Sequence, residues 1–181
     1  MYLRRACETD IDAIMEVLEG GKAALKALGI DQWQGGYPHR SNIEEDVARG
    51  ESYVLVDEEG NAETVLATAM ISLQGERIYD AIEGGAWLTS TNSSNPRYGV
   101  LHRVAVRANC QGRGIGSEFL RQAEAFLREC GAESARIDTH PGNAVMIRLL
   151  EKCGYTRCGI VFITHAEDGI PDRFAYEKLL G

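Results

Sequence analysis

The segment that most constrains the fold is Leu101-His-Arg-Val-Ala-Val-Arg-Ala-Asn-Cys-Gln-Gly-Arg-Gly-Ile-Gly116. Its apolar, β-branched first half reads as a strand, Val100–Val106. Three alternate glycines follow, and a helical period starts, with Ile115, Phe119, Ala123, Phe126 and Cys130 on one face of a helix spanning Ser117–Cys130. Glycines let backbone approach a ligand closely. The N–H groups of the first helical turn, with the helix dipole behind them, suit an anion such as a pyrophosphate, and Arg113 adds charge. The alternative is a tight strand–helix turn with no ligand, and the spacing alone does not decide between them. Two phosphate loops are excluded. Gly112-x-Gly114-x-Gly116 is not the dinucleotide G-x-G-x-x-G, and no Gly-Lys-Ser/Thr follows. The turn also comes late in the chain, not at a first β–α junction.

Around this junction strands and helices are mixed. Tyr2–Ala6 reads as a strand, and Thr9 with Asp12 as the cap of a helix. Ile11, Ile14, Met15, Leu18, Leu25 and Leu28 keep its period, with Gly20–Gly21 expected to bend or interrupt it. An aromatic, glycine-containing loop, Asp31–Pro38, precedes a short helix, Ile43–Ala48, capped by Ser41 or Asn42. Ser52–Val56 and Thr64–Leu73 read as strands joined by the turn Asp57–Asn61. Residues 75–98, with Tyr79 and Trp87 among Gly, Ser and Asn, make a loop of a length that is uncommon unless functional or mobile. Gly131 closes the 117–130 helix. Ala135–Thr139 is a strand, Pro141-Gly142 a turn, and Asn143–Cys153 a helix with Met146, Leu149, Leu150 and Cys153 inward. Tyr155–Thr164 and Phe174–Leu179 are the closing strands. With no repeat or linker, residues 1–181 are expected to form one α/β (α+β) domain around a mixed sheet.

Charge narrows the partners. Nineteen basic against twenty-seven acidic residues give a net charge of −8, which argues against nucleic acid or an anionic membrane and tolerates a cationic acceptor. Five cysteines, an odd number without a C-x-x-C pair, fit a reduced, cytoplasmic setting. His39, His102, His140 and His165 show no metal-ligand spacing, so no metal is expected. No apolar stretch reaches the roughly 20 residues a bilayer requires.

Gln111-Gly-Arg-Gly-Ile-Gly116, after Val104-Ala-Val106, resembles the Q/R-x-x-G-x-G signature of the GNAT superfamily of N-acetyltransferases. The likeness continues through Ile137-Asp-Thr-His-Pro141, Asn143 and Leu149-Leu-Glu-Lys-Cys-Gly-Tyr155. Residues 155–180 resemble the closing strands of a bacterial small-molecule branch. It implies a GNAT fold, a mixed sheet of about six or seven strands flanked by about four helices. It also implies an acetyl-CoA-dependent acyltransferase that moves an acetyl group directly onto a small amine, or a peptide amine, in a ternary complex. By that resemblance Gln111, Gly112, Arg113, Gly114, Ile115 and Gly116 bind the CoA pyrophosphate. Val104 and Val106 offer main-chain groups to the thioester and pantetheine arm, with the Val104 N–H polarising the acetyl carbonyl. Asn143 contacts the same arm, and an N-cap role is compatible with that. A homodimer is left open.

The chain departs from the family's pattern at two positions. Where many members carry a tyrosine general acid, this sequence has Leu150, which cannot donate a proton; a thiol, with a pKa of about 8.5 for a Cys side chain, can leave largely as thiolate, with water or a thiol such as Cys153 as alternative donors that the sequence does not choose between. The family's frequent Glu base falls at Val100. His102, two residues on and on the same strand face, and His140, at the end of the neighbouring strand, are the candidate proton acceptors, with ordered water as the alternative. Arg103 and Asp138, charges in buried strands, need partners, and a carboxylate is expected for Arg103. Trp33, Tyr37 and Trp87, in segments 31–38 and 79–98, are the candidate acceptor-binding residues or the cover of the core. A non-catalytic acyl-CoA-binding module, and an acyltransferase with another donor or acceptor, are the competing readings.

Overall fold

The computed structural model describes residues 1–59, 62–164 and 169–181. Along the chain run β1 (Tyr2–Arg5), α1 (Ile11–Ala27), α2 (Arg40–Ala48), β2 (Ser52–Glu59), β3 (Ala62–Ser72), β4 (Tyr98–Val106), α3 (Ile115–Glu129), β5 (Ser134–Thr139), α4 (Ala144–Lys152), β6 (Thr156–Phe162) and β7 (Asp172–Leu179). The strands form one seven-stranded sheet in the order β1-β2-β3-β4-β5-β7-β6. Its pairs are antiparallel except β4 with β5, which run parallel. This is the mixed α/β sheet, with four flanking helices, that the sequence led us to expect.

Both sheet faces are covered, and β2 shows how. Its side chains alternate, so Tyr53 and Leu55 join the cluster around Phe119, Leu120 and Leu127 of α3, while Val54 and Val56 join Ile14, Val17 and Leu18 of α1. At the far end of the sheet, Arg136 and Glu177 are wholly buried and paired at 3.0 Å. The Arg136 guanidinium is sandwiched between the rings of Trp87 (4.2 Å) and Tyr98 (4.0 Å).

Several boundaries differ from the sequence reading. α1 runs unbroken through Gly20–Gly21. A β-carbon at Gly21 would lie 3.2 Å from the Trp33 ring, so glycine serves close packing there and does not break the helix. The capping box at the chain's entry to its first helical turn is Cys7 with Asp10, whose Oδ2 accepts the Cys7 N–H at 2.8 Å and also holds Arg4, not Thr9 with Asp12. α2 begins earlier, at Arg40, and Asn42 Oδ1 reaches back to the His39 N–H at 2.8 Å from inside the first turn. On α3 the buried stripe turns towards Leu120 and Leu127, leaving Cys130 exposed past the last turn. β2 extends to Glu59 and pairs with Ala62, and residues 60–61 of the expected 57–61 turn lie outside the described residues. β6 stops at Phe162, two residues short of the expected strand end, while His165 lies outside the described residues.

Candidate active site

β4 and β5 pair only from Tyr98↔Ser134 to Leu101↔Ile137. Beyond that point β4 stays with β3 as far as Ala67↔Val106, while β5 follows β7 to Thr139↔Phe174. The two parallel strands therefore part, and a groove of about 610 Å³ opens between them, lined at its centre by Leu101, His102, Val104, Ile137 and Asp138. β4 is also irregular along its other edge. Its register against β3 jumps from Met70↔His102 to Thr68↔Ala105, so Ala69 faces both Arg103 and Val104. Arg103 takes φ +56°, a left-handed conformation in mid-strand.

The glycine turn closes one end of this groove. After a single 3₁₀ turn, Ala108–Cys110, Gly112 (φ +76°) and Gly114 (φ +81°) reverse the chain, and Gly114 caps α3. A β-carbon on either would meet nothing within 4 Å, so their left-handed backbone, not crowding, is what calls for glycine. Gly116 differs: a β-carbon there would lie 3.0 Å from Leu149 of α4, and its absence lets α3 and α4 close together. The first turn of α3, Ile115 to Ser117, thus lines the groove at the helix's positive end. Asn143 Oδ1 caps α4 by accepting the Met146 N–H at 3.1 Å, and Asn143 also lines the groove.

At the fork of the strands lies a polar cluster. His102 Nε2 is 3.2 Å from Glu76 Oε2, and Nδ1 is 3.6 Å from Asp138 Oδ1. Tyr79 donates its hydroxyl to Asp138 at 2.7 Å, and Glu76 Oε1 accepts the Ile78 N–H at 3.3 Å. The bond from His102 holds the Glu76 carboxyl below the usual range despite its burial. Burial, with the Asp138 charge next to it, pushes the Tyr79 phenol well above its own. The fork therefore sets the His102 ring between the Glu76 and Asp138 carboxyl groups, beside a phenol that stays protonated.

The chain as a whole has counterparts among known proteins. Residues 22–155 match the family model described as acetyltransferase (GNAT) family. The chain belongs to the GNAT family. A GNAT-family acetyltransferase structure from Streptococcus agalactiae is 32% identical, with a TM-score of 0.83 over 98% of this chain and 94% of that one. Two others share the fold: a GNAT-family acetyltransferase from Listeria monocytogenes (20% identity, TM-score 0.71, 98% and 93% covered) and a ribosomal-protein-alanine N-acetyltransferase from Brucella melitensis (21%, 0.63, 99% and 99%). No curated protein matches the chain.

Within this GNAT chain the candidate residues separate by place. His102, Val104, Val106, Gln111, Gly112, Gly114, Ile115, Gly116 and Asn143 gather on the groove, as do Trp33 and Tyr37 from the loop after α1. His140 is buried in the β5–α4 turn, where Nδ1 accepts the Gly142 N–H at 2.9 Å and Nε2 is 3.1 Å from Asp31. Trp87 donates its indole N–H to the Tyr79 carbonyl at 2.8 Å and stacks on Arg136, on the core side of that segment. Leu150 is fully buried in the core below α4. Arg103 finds its carboxylate in Asp46 at 2.5 Å. The sequence reading does not single out Glu76, and it notes Tyr79 only as an aromatic of the irregular 75–98 stretch, where no period marks a side chain's direction.

A second recess, about 780 Å³, lies near β1 and the start of α1, but Arg4 there is already bridged to Asp10 (2.7 Å) and Glu63 (2.6 Å). Among the described residues no His, Cys, Asp or Glu side chains group as metal ligands, and no helix is long and apolar enough to cross a membrane.

Proposed function

We propose that this GNAT chain transfers an acetyl group from acetyl-CoA directly to a small amine held in the same groove. The parting of β4 and β5 beyond Leu101 and Ile137, beside a glycine turn that opens α3, is the observation that carries this reading. The turn fits a pyrophosphate: its left-handed glycines leave the face open, and the α3 amides and dipole favour an anion. Arg148 and Lys152 of α4, also at the groove, supply further positive charge. Val104 and Val106 line the opening, so their main-chain groups suit the thioester and pantetheine, and the Val104 N–H is the donor for the carbonyl oxygen as negative charge develops on it. Asn143 is placed to contact the same arm while capping α4. The five unpaired cysteines suit a reducing, cytoplasmic setting.

The acceptor arrives as an ammonium and must lose a proton before its nitrogen attacks. His102 suits this task better than His140, because His102 lines the groove while His140 is buried in the β5–α4 turn. Glu76 accepts the His102 Nε2–H and leaves Nδ1 to take the proton, and the resulting imidazolium then lies between Glu76 and Asp138. The new C–N bond forms as the C–S bond breaks. With Leu150 in place of an acid, CoA departs as thiolate, as the acidity of a thiol, about 8.5 for a Cys side chain, allows. Trp33 and Tyr37 line the acceptor side.

The test mixes acetyl-CoA with a panel of small amines and reads free CoA thiol. Release with at least one amine is expected. CoA binding without release from any amine or acyl donor would make the chain a non-catalytic acyl-CoA-binding module. Faster turnover of a longer acyl donor or a hydroxyl acceptor would replace the acetyl or amine part of the reading.

A further inference from the structure

The conformation of β4 that brings Val104 to the groove falls at a gap in the register of the sheet. Arg103 and Val104 have no register partner on β3, and the β5 ladder has already ended at Leu101. A left-handed conformation at a residue with a side chain costs about 1–2 kcal/mol, so something outside the ladder must hold it. The Arg103 guanidinium supplies that hold. Nη2 donates to Asp46 Oδ2 of α2 at 2.5 Å, and Nη1 donates to the Tyr37 hydroxyl at 2.6 Å. Asp46 is only 1% exposed, and its second oxygen is fixed by Arg49 Nη2 at 2.9 Å. Breaking a buried pair of this kind by removing one partner costs about 3–5 kcal/mol, more than the backbone strain it holds.

We propose that Arg103 is a positioning residue: latched to Asp46 on α2 and to Tyr37 in the acceptor loop, it fixes the β4 bulge and thereby aims the Val104 N–H at the reacting carbonyl. This role rests on the acyl-transfer reading, although the latch itself does not. Arg103 touches no reacting atom. It acts through the backbone of the next residue, and it ties the oxyanion donor to the loop that carries Trp33 and Tyr37. Asp46 and Tyr37 thus take part in the rate from outside the chemical step.

The test uses the full chain as wild type, Asp46→Asn, and the double variant Arg103→Gly/Asp46→Asn. NMR reads the local backbone through the Arg103 Cα shift and its HN–Hα coupling. Wild type should report a left-handed residue, and Asp46→Asn an extended or averaged one. In steady-state kinetics Asp46→Asn should lose roughly tenfold to a hundredfold in kcat, the scale of a misplaced catalytic group, with the acetyl-CoA KM held within about twofold. Glycine adopts the left-handed conformation without strain, so the double variant should recover kcat severalfold over Asp46→Asn alone. An unchanged Arg103 signature in Asp46→Asn, an unchanged kcat, or a double variant no better than the single each overturns the latch. Should Asp46→Asn fail to fold, Arg103→Lys, which keeps one charge but cannot hold both partners, takes its place with the same readouts. A wild type that turns over no amine would end the transferase reading, while the NMR comparison would still decide whether Asp46 holds the bulge.

Discussion

Gly114→Glu isolates the pyrophosphate site from the stability of the fold. Gly114 caps α3 at φ +81° and has open space where a β-carbon would go, so the folded-state cost is backbone strain alone. That strain is about 1–2 kcal/mol, which for a chain of this size lowers Tm by about 2–8 °C and leaves it folded. Binding should suffer more. A carboxylate held roughly 6 Å from a phosphate charge costs roughly 1–3 kcal/mol, depending on the effective dielectric, which is about fivefold to 150-fold in Kd. Gly131 is the matched control, because it lies past the other end of α3 at φ +87°, also with nothing within 4 Å. Gly131→Glu should lose the same few degrees and keep CoA affinity. The assay is calorimetric CoA titration of both variants beside their melting curves, repeated at high salt, where the Gly114→Glu defect should shrink. Equal CoA affinity in the two variants would remove the pyrophosphate from this turn.

His102→Gln should lower kcat/KM by about a hundredfold and abolish the ionisation on the rising limb of the pH profile, whereas His140→Gln should lower Tm and leave that profile in place; the reverse pattern would move the base to His140. Tyr37→Ala should raise the acceptor KM more than the acetyl-CoA KM, while Trp87→Ala, which unstacks Arg136, should show first as a lower Tm. Glu177 keeps a depressed carboxyl pKa because, although burial raises it, bonds from Ser134, Thr89 and Arg136 outweigh burial. A depressed folded value means stability present above the unfolded pKa, near 4.3, and lost as pH falls through the folded one. Unfolding of wild type should therefore steepen below about pH 4.3, and Glu177→Gln should cost about 3–5 kcal/mol at neutral pH with a flatter acid limb in denaturant titrations.

The turn and its flanking elements were legible because glycine spacing and helical period are local properties. From Val100 to Gly131, strand, turn and helix stand where the residues put them. The interruption expected at Gly20–Gly21 failed because the constraint is tertiary: Gly21 makes room for the Trp33 ring. Glu76 and Tyr79 were illegible for a related reason. Each is aimed by a single 3₁₀ turn, Arg77–Asp80, and by bonds to partners 26 and 59 residues away. His102 could be placed on the right strand face from period alone, but its carboxylate neighbours could not. Arg103 was the intermediate case. A buried charge requires a partner, so a carboxylate was foreseeable, while its identity as Asp46, 57 residues away, was not.

The places where local rules break coincide with the groove. Among the described residues, Trp33 and Arg103 alone combine a side chain with positive φ, and both line it. β4 bulges against β3 at the level where its ladder with β5 ends. Strain and missing backbone pairing persist only where surrounding structure over-determines them. Here the support comes from buried charge: Asp46 with Arg103 on one side of the groove, and Asp138 with Tyr79 on the other. The Arg136–Glu177 pair, away from the groove, fixes the 79–98 segment through Thr89, which donates to Glu177 at 2.5 Å, and that segment begins with Tyr79. Buried polar pairs that look costly when taken singly therefore sit where an interrupted sheet must still hold one geometry. An apolar replacement at Arg103 and Asp46 together could match their stability, yet it would release the bulge, so the pair's value lies in the conformation it selects and not in the free energy it adds.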